Sequence, residues 1–231
     1  MKRCMKIFLI LAILLALPLP ALAAPVGKIT ALEGNVDITA GDKARNAKLG
    51  DAVNAGDILR AKSKSKAEVT FLDGNILRLA ESTRVRITDY QPGEGKTTTL
   101  DLFRGKTQNI VSGLARDAKY EIRTPPAVCG VRGTSFFAFF QDGQSGFVPT
   151  IGTIYGYNRT MPGDVKIVTT GQAIMILAAN LPPVIQPATP NELNRHMQDT
   201  ALNEGAPTTT PTTIGDTPPT PPPPPPPPPK N

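Results

Sequence analysis

The sequence predicts an all-β domain, and three observations carry that reading. Apolar and polar residues alternate along most of residues 24–186, and no segment shows a 3.6-residue apolar stripe. Strand candidates start after glycine turns: Gly34-Asn-Val-Asp-Ile, Gly74-Asn-Ile-Leu-Arg-Leu, Gly152-Thr-Ile-Tyr-Gly-Tyr, Gly163-Asp-Val-Lys-Ile-Val and Gly171-Gln-Ala-Ile-Met-Ile. The 163 residues from 24 to 186 are enough for one core, since a domain of this size buries about 70% of its unfolded surface. The glycine spacings are irregular, so no fixed-period repeat is expected.

Residues 1–23 read as a secretory signal peptide. Lys2, Arg3 and Lys6 form a basic start, Ile7 to Leu17 is an apolar run of 11 residues, and Pro18 and Pro20 break it. The small-residue stretch Ala21-Leu22-Ala23 places the cleavage between Ala23 and Ala24. Eleven apolar residues fall short of the ~20 that cross a ~30 Å hydrocarbon core. Cys4 precedes the run, unlike the cysteine of a lipoprotein signal. The expectation is an exported protein, periplasmic or extracellular, and not integral to the membrane once cleaved. Cleavage lowers the formal net charge from +6 to +3 and leaves Cys129 as the one cysteine. A lone thiol in Ala-Val-Cys-Gly-Val has no internal disulfide and reads as a buried small residue.

Within the domain, Lys62 to Phe71 alternates. Lys62, Lys64, Lys66, Glu68 and Thr70 fall on one side, with Ser63, Ser65, Ala67, Val69 and Phe71 on the other. Asp73-Gly74 turns the chain. The next strands point Leu77, Leu79, Val85 and Ile87 inward and Arg78, Arg84 and Arg86 outward. Lys62, Lys64, Lys66, Arg78, Arg84 and Arg86 thus outline a basic sheet face. Such a face serves either an anionic envelope polymer or simple solvation and protection against edge pairing. Nucleic acid is not expected, because no nucleic-acid module signature is present. Further on, Phe136, Ala138 and Phe140 alternate with Phe137 and Phe139, which suits a central strand covered on both sides.

From Pro187 the composition shifts. Residues 187–231 hold 15 of the 25 prolines and end in nine in a row, Pro221 to Pro229. That run favours polyproline II, so a disordered Pro/Thr-rich tail is expected, with a short, weakly apolar helix over Asn191–Asn203. The single histidine, His196, lies there. Catalysis lacks its parts: no histidine stands in the β-domain, no G-x-S-x-G elbow occurs, and the acids Asp51, Asp57, Asp73 and Asp142 sit at turns. No enzyme, metal or cofactor is expected. Asn158-Arg159-Thr160 matches a glycosylation sequon, relevant only to a eukaryotic secretory route.

Several stretches together resemble the FecR-type periplasmic domain family. They are Leu32-Glu-Gly-Asn-Val36, Leu49-Gly50-Asp51, Ala55-Gly56-Asp57-Ile58-Leu59, Ala67 to Asn75, Leu79 to Thr83, and Leu100-Asp-Leu-Phe-Arg-Gly-Lys106. Ile122-Arg-Thr-Pro-Pro-Ala-Val-Cys-Gly-Val-Arg-Gly-Thr134 completes them, and the resemblance runs over about residues 26–178. It implies short strands in a β-helix-like or sandwich-like stack and a module that senses or binds an envelope protein or receptor. This chain differs in having a cleavable signal in place of a cytoplasmic anti-sigma segment, and a proline-rich tail. Asp73, Gly74, Gly130, Arg132, Gly133 and Thr134 are the motif residues. Gly130 and Gly133 suit a bulge or bend beside Arg132, and Arg132 is expected to pair with Asp73 or Glu81. Pro125 and Pro126 are expected at an edge or crossover. The functional expectation is a non-catalytic exported interaction or sensing module, with polyanion binding as the alternative.

Overall fold

The structure, a computed structural model, describes residues 24–91, 97–112, 118–131 and 133–202. The signal peptide with Ala23, the motif residue Arg132 and the polyproline run lie outside the described residues. Seventeen strands follow one another: β1 Pro25–Glu33, β2 Val36–Ala40, β3 Lys43–Asn46, β4 Ala52–Asn54, β5 Ile58–Ala61, β6 Lys66–Phe71, β7 Ile76–Leu79, β8 Arg84–Gln91 and β9 Thr97–Ile110. Then come β10 Lys119–Arg123, β11 Ala127–Val131, β12 Ser135–Gln141, β13 Gln144–Ile151, β14 Thr153–Asn158, β15 Lys166–Thr169, β16 Gln172–Ile176 and β17 Val184–Pro187. One helix, α1, spans Pro190–Thr200.

These strands form two sheets. Sheet I runs β4-β1-β6-β7-β9-β12-β13-β16-β17, and sheet II runs β3-β2-β5-β8-β9-β10-β11-β14-β15. Pairing is antiparallel except between β9 and β10. The strand β9 belongs to both: Thr97 to Arg104 pair in sheet II, and Gly105 to Ile110 pair in sheet I. Gly105 makes that corner at φ +92°, and a Cβ there would stand 2.6 Å from the Thr83 Cα. Thr83 is buried beneath it, accepting from the Lys106 N–H and donating to the Lys106 carbonyl, both at 3.0 Å.

The inner faces share one core. Val69, Leu77 and Leu79 of sheet I meet Leu59, Val85, Ile87, Leu100 and Leu102 of sheet II, all fully buried. The alternation over Lys66–Phe71 and through β7 and β8 is as expected, and the sandwich-like alternative describes the stack. Cys129 is buried and free. Both Gly-Asp turns have one construction. The Asp51 and Asp57 carboxylates accept the backbone N–H three residues back, at Lys48 (2.8 Å) and Asn54 (2.9 Å), and Gly50 and Gly56 supply positive φ.

Several expectations are corrected. Lys62 to Ser65 form a turn rather than a strand, with Lys64 at φ +53° and Ser63 exposed. Pro125 and Pro126 sit in the β10–β11 hairpin turn between two interior strands, where a strand partner never asks for their missing N–H. Gly130 is no bend: it lies in regular β11 opposite Tyr155, whose ring would meet any Cβ there. Gly133 does bend, at φ +65°. Past residue 186 the chain forms α1, where a short helix over Asn191–Asn203 is expected from the sequence. Asn158 is fully buried; its Nδ2 reaches the carbonyls of Ala178, Ala179 and Leu181 at 3.2, 3.1 and 2.7 Å, so it staples a loop and cannot present itself for glycosylation.

Candidate functional site

The six expected basic residues do not share a face. Lys62 pairs with Asp37 across 3.2 Å. Lys64 occupies the turn, where its backbone N–H donates to Glu81 at 2.7 Å. Lys66 and Arg78 point outward from sheet I, and Arg84 and Arg86 point outward from sheet II, on the opposite side of the sandwich. Arg78 is tied to Glu68 at 2.8 Å and to Gln108 at 3.3 Å.

A different basic cluster emerges on sheet II. Strand register sets Arg60 opposite Arg84 and Arg84 opposite Arg104, on three neighbouring strands. The guanidiniums of Arg84 and Arg86 lie 5.2 and 5.4 Å from the centre of the Phe103 ring. None of these four arginines forms an ion pair among the described residues, whereas Arg45, Arg78 and Arg123 each do. Like charges facing across strands repel, while register also sets Asp37 opposite Arg60 and Asp101 opposite Arg86. Arg60 was readable from the alternation of Ile58-Leu-Arg-Ala; the row itself depends on register between distant segments.

The described motif residues Asp73, Gly74 and Thr134 lie in turns and hydrogen bonds of the fold. The Asp73 carboxylate accepts from Asn75 N–H (3.1 Å) and Asn75 Nδ2 (2.9 Å), and the Asp73 N–H donates to the Tyr90 hydroxyl at 3.1 Å. Gly74 takes φ +82° in this turn. Thr134 donates to the Thr153 carbonyl at 3.0 Å. Glu81, one of the two acids expected to meet Arg132, takes the Lys64 N–H.

The second built feature is the outer face of sheet I where α1 lies. Phe136 and Ala138 enter the main core, and Phe137 and Phe139 face outward with Val148 and Ala173. The strand is therefore covered on both sides as expected, and the second cover is α1. The helix begins with a capping box: Thr189 Oγ1 accepts from the Glu192 N–H, and the Glu192 carboxylate accepts from the Thr189 N–H. Those bonds hold the Glu192 carboxyl below its ordinary range. Leu193 packs on the aromatic patch, and the His196 ring lies 5.3 Å from Phe137 and 5.4 Å from Phe139. Lys66 Nζ donates to the carbonyls of Gln198 (2.9 Å) and Ala201 (2.6 Å), satisfying the helix C-terminus. Lys106 Nζ pairs with Asp199 at 2.5 Å, and the Thr200 hydroxyl, 2.9 Å from the His196 carbonyl, also lies 3.3 Å from the Gln108 side-chain oxygen.

The His196 Nδ1 is buried there without a hydrogen-bond partner among the described residues. Burial, then the Lys106 charge, lowers its pKa from 6.5 to about 4, with Arg195 adding and Asp199 and Glu192 opposing. Beside the helix a cleft of about 280 Å³ remains, lined by Phe139, Val148, Ala173 and Met175 together with His196 and Asp199. At the far end both sheets finish on edge strands with exposed apolar side chains, Ile167 of β15 beside Tyr155, and Val184 and Ile185 of β17. Among the described residues no helix is long and apolar enough to cross a membrane.

Comparison with known proteins agrees with this architecture. Residues 57–149 match the family model described as FecR protein, which bears out the resemblance over those residues. The match begins at the second Gly-Asp turn and ends within β13, with β9 near its middle. Two crystal structures, at 1.65 and 2.50 Å resolution, of a Parabacteroides distasonis protein described as a "putative anti-sigma factor" share the fold. Each has a TM-score of 0.52 and 17% identity, and the alignment covers 61% of this chain and 64% of that one. The chain thus spans just under two thirds of the length of those structures. No curated protein matches the chain.

Proposed function

We propose that this chain is a non-catalytic signalling module of the cell envelope, exported behind its N-terminal segment, that works by binding another envelope protein. The match of residues 57–149 to the FecR family carries this reading. Those residues span the strands that frame the Gly105 corner and the aromatic strand β12. The placement of the histidine fits it too: His196 is engaged with two phenyl rings. In-cell crosslinking of a tagged full-length chain, with mass spectrometry of the captured proteins, tests the reading. Capture of one dominant membrane receptor or regulator is the expected result, with a mature N-terminus at Ala24. Recovery of the chain alone, or with an intact residue 1 in the cytosolic fraction, would overturn it.

The row Arg60, Arg84, Arg86 and Arg104, which forms no ion pair among the described residues, favours a second reading, in which the module holds an anionic envelope polymer. Affinity for such a polymer would fall steeply with ionic strength, and replacing Arg84 and Arg86 with Ser would abolish it.

A further inference from the structure

The outer face of sheet I is a better seat than its present occupant requires. It offers Phe137, Phe139, Val148 and Met175 as apolar lining, Lys106 as a cation at one flank, and Lys66 as a cap for a helix C-terminus. The helix that fills it has 11 residues, below the length at which isolated helices hold in water. It sets one aliphatic side chain, Leu193, on the patch and lays an imidazole with an orphaned Nδ1 against two phenyl rings. Its Met197, which could have filled apolar space, is 53% exposed. A cleft of about 280 Å³ remains beside it, lined by Phe139, Val148 and Met175 and by the charged Lys106, Glu192 and Arg195.

We infer that this face is the docking groove for an amphipathic helix of a partner protein, and that α1 occupies it as a replaceable stand-in. The contacts of α1 specify the partner helix. An apolar residue stands at the Leu193 position and a large apolar residue three positions on, where α1 has His196. An acid six positions on meets Lys106 as Asp199 does, and a hydroxyl seven on meets Gln108 as Thr200 does. The helix C-terminus lies at Lys66. This is helix-in-groove recognition, read through anchors at i, i+3 and i+7. Exchange leaves the sandwich core untouched, because α1 packs on the outside of sheet I and contributes nothing to the shared core. The inference rests on the protein-binding reading above and names its surface and partner class.

The test uses the full chain and a fluorescent synthetic peptide of residues 189–202 carrying His196→Leu. Fluorescence anisotropy reads its binding to three forms of the protein. The wild-type chain should bind it with measurable affinity in competition with α1. A Leu193→Glu chain, whose own helix is loosened, should bind at least tenfold tighter. A His196→Leu chain, whose own helix is improved, should bind at least threefold weaker than wild type. Lys106→Glu should reduce binding, and Asp199→Lys in the peptide should restore it. A cooperative thermal transition in each variant confirms an intact sandwich. Absence of peptide binding to the Leu193→Glu chain with that transition intact would overturn the proposal. So would equal affinity in all three chains, or a dimer of the wild-type chain that dissociates on adding peptide, since the occupant would then be a second copy. Peptide binding without any protein captured by crosslinking would sink the envelope-partner reading and leave the groove standing; the reverse result would sink the groove alone.

Discussion

Replacing Gly105 with Ala separates two requirements that one glycine meets. At φ +92° an L-residue incurs about 1–2 kcal/mol of backbone strain. The added Cβ would also stand 2.6 Å from the Thr83 Cα. That obstacle is backbone, so the strand must move, at about 1–3 kcal/mol for an overfilled site. Movement stretches the paired Thr83–Lys106 hydrogen bonds, worth about 1 kcal/mol each. The expected loss is about 3–5 kcal/mol, against the 5–15 kcal/mol that holds a typical domain. For a domain of this size that lowers Tm by about 10 °C or more. Gly74→Ala is the control, with φ +82° and nothing within 4 Å of the new Cβ. It should lose only the strain, about 1–2 kcal/mol. Calorimetric melts and urea midpoints of both variants measure the difference. Equal losses would refute the argument that close approach at the corner, rather than φ alone, demands glycine.

Three further outcomes are expected. Acidification should loosen α1: undocked, the imidazole takes up a proton that the docked ring resists, so His196 weakens docking as pH falls from 6.5 toward 4, and further acid removes the Glu192 capping box. The full shift would correspond to about 3 kcal/mol, and solvent screening of the half-exposed ring reduces it to about 1–2 kcal/mol; helix protection from hydrogen exchange across that range, with His196→Leu removing the dependence, is the check. Cys129, buried with its thiol pKa pushed well up first by desolvation and then by Glu121, should resist maleimide in the native chain and react fully in denaturant. Gly130→Ala should cost about 1–2 kcal/mol, less than Gly105→Ala, because the obstacle is the tip of the partly exposed Tyr155 ring, and Tyr155→Ala in the same chain should cancel most of that loss in a double-mutant cycle.

The parts legible in the sequence are those whose physics is local. The Gly-Asp turns at Gly50-Asp51 and Gly56-Asp57 need only four residues each, and they form as read. The two-sided phenylalanine strand also announced itself, although what covers its outer side did not. The docking of α1 depends on Lys66 and Lys106, which lie more than ninety residues from their partners. Its weak apolar content read as a tail because the affinity resides in the seat. Alternation alone put Lys66, Arg78, Arg84 and Arg86 on one face, since period two gives inside against outside and not which of two outer faces. The change of sheet at Gly105 falls inside a continuous strand, and no turn residue marks it beyond that glycine. Gly130 looked like a bend because glycine usually is one; here a ring from a strand 25 residues on needs its space.

The double membership of β9 also sets an order in time. Synthesis delivers β1 to β8 first, and they end on two open edges, β7 in one sheet and β8 in the other. A single strand caps both edges, its first half on β8 and its second on β7. Its free flanks then become the template on which β10 and β12 start the remaining halves of both sheets. The chain before the Gly105 corner and the chain after it are therefore joined in both sheets by one segment.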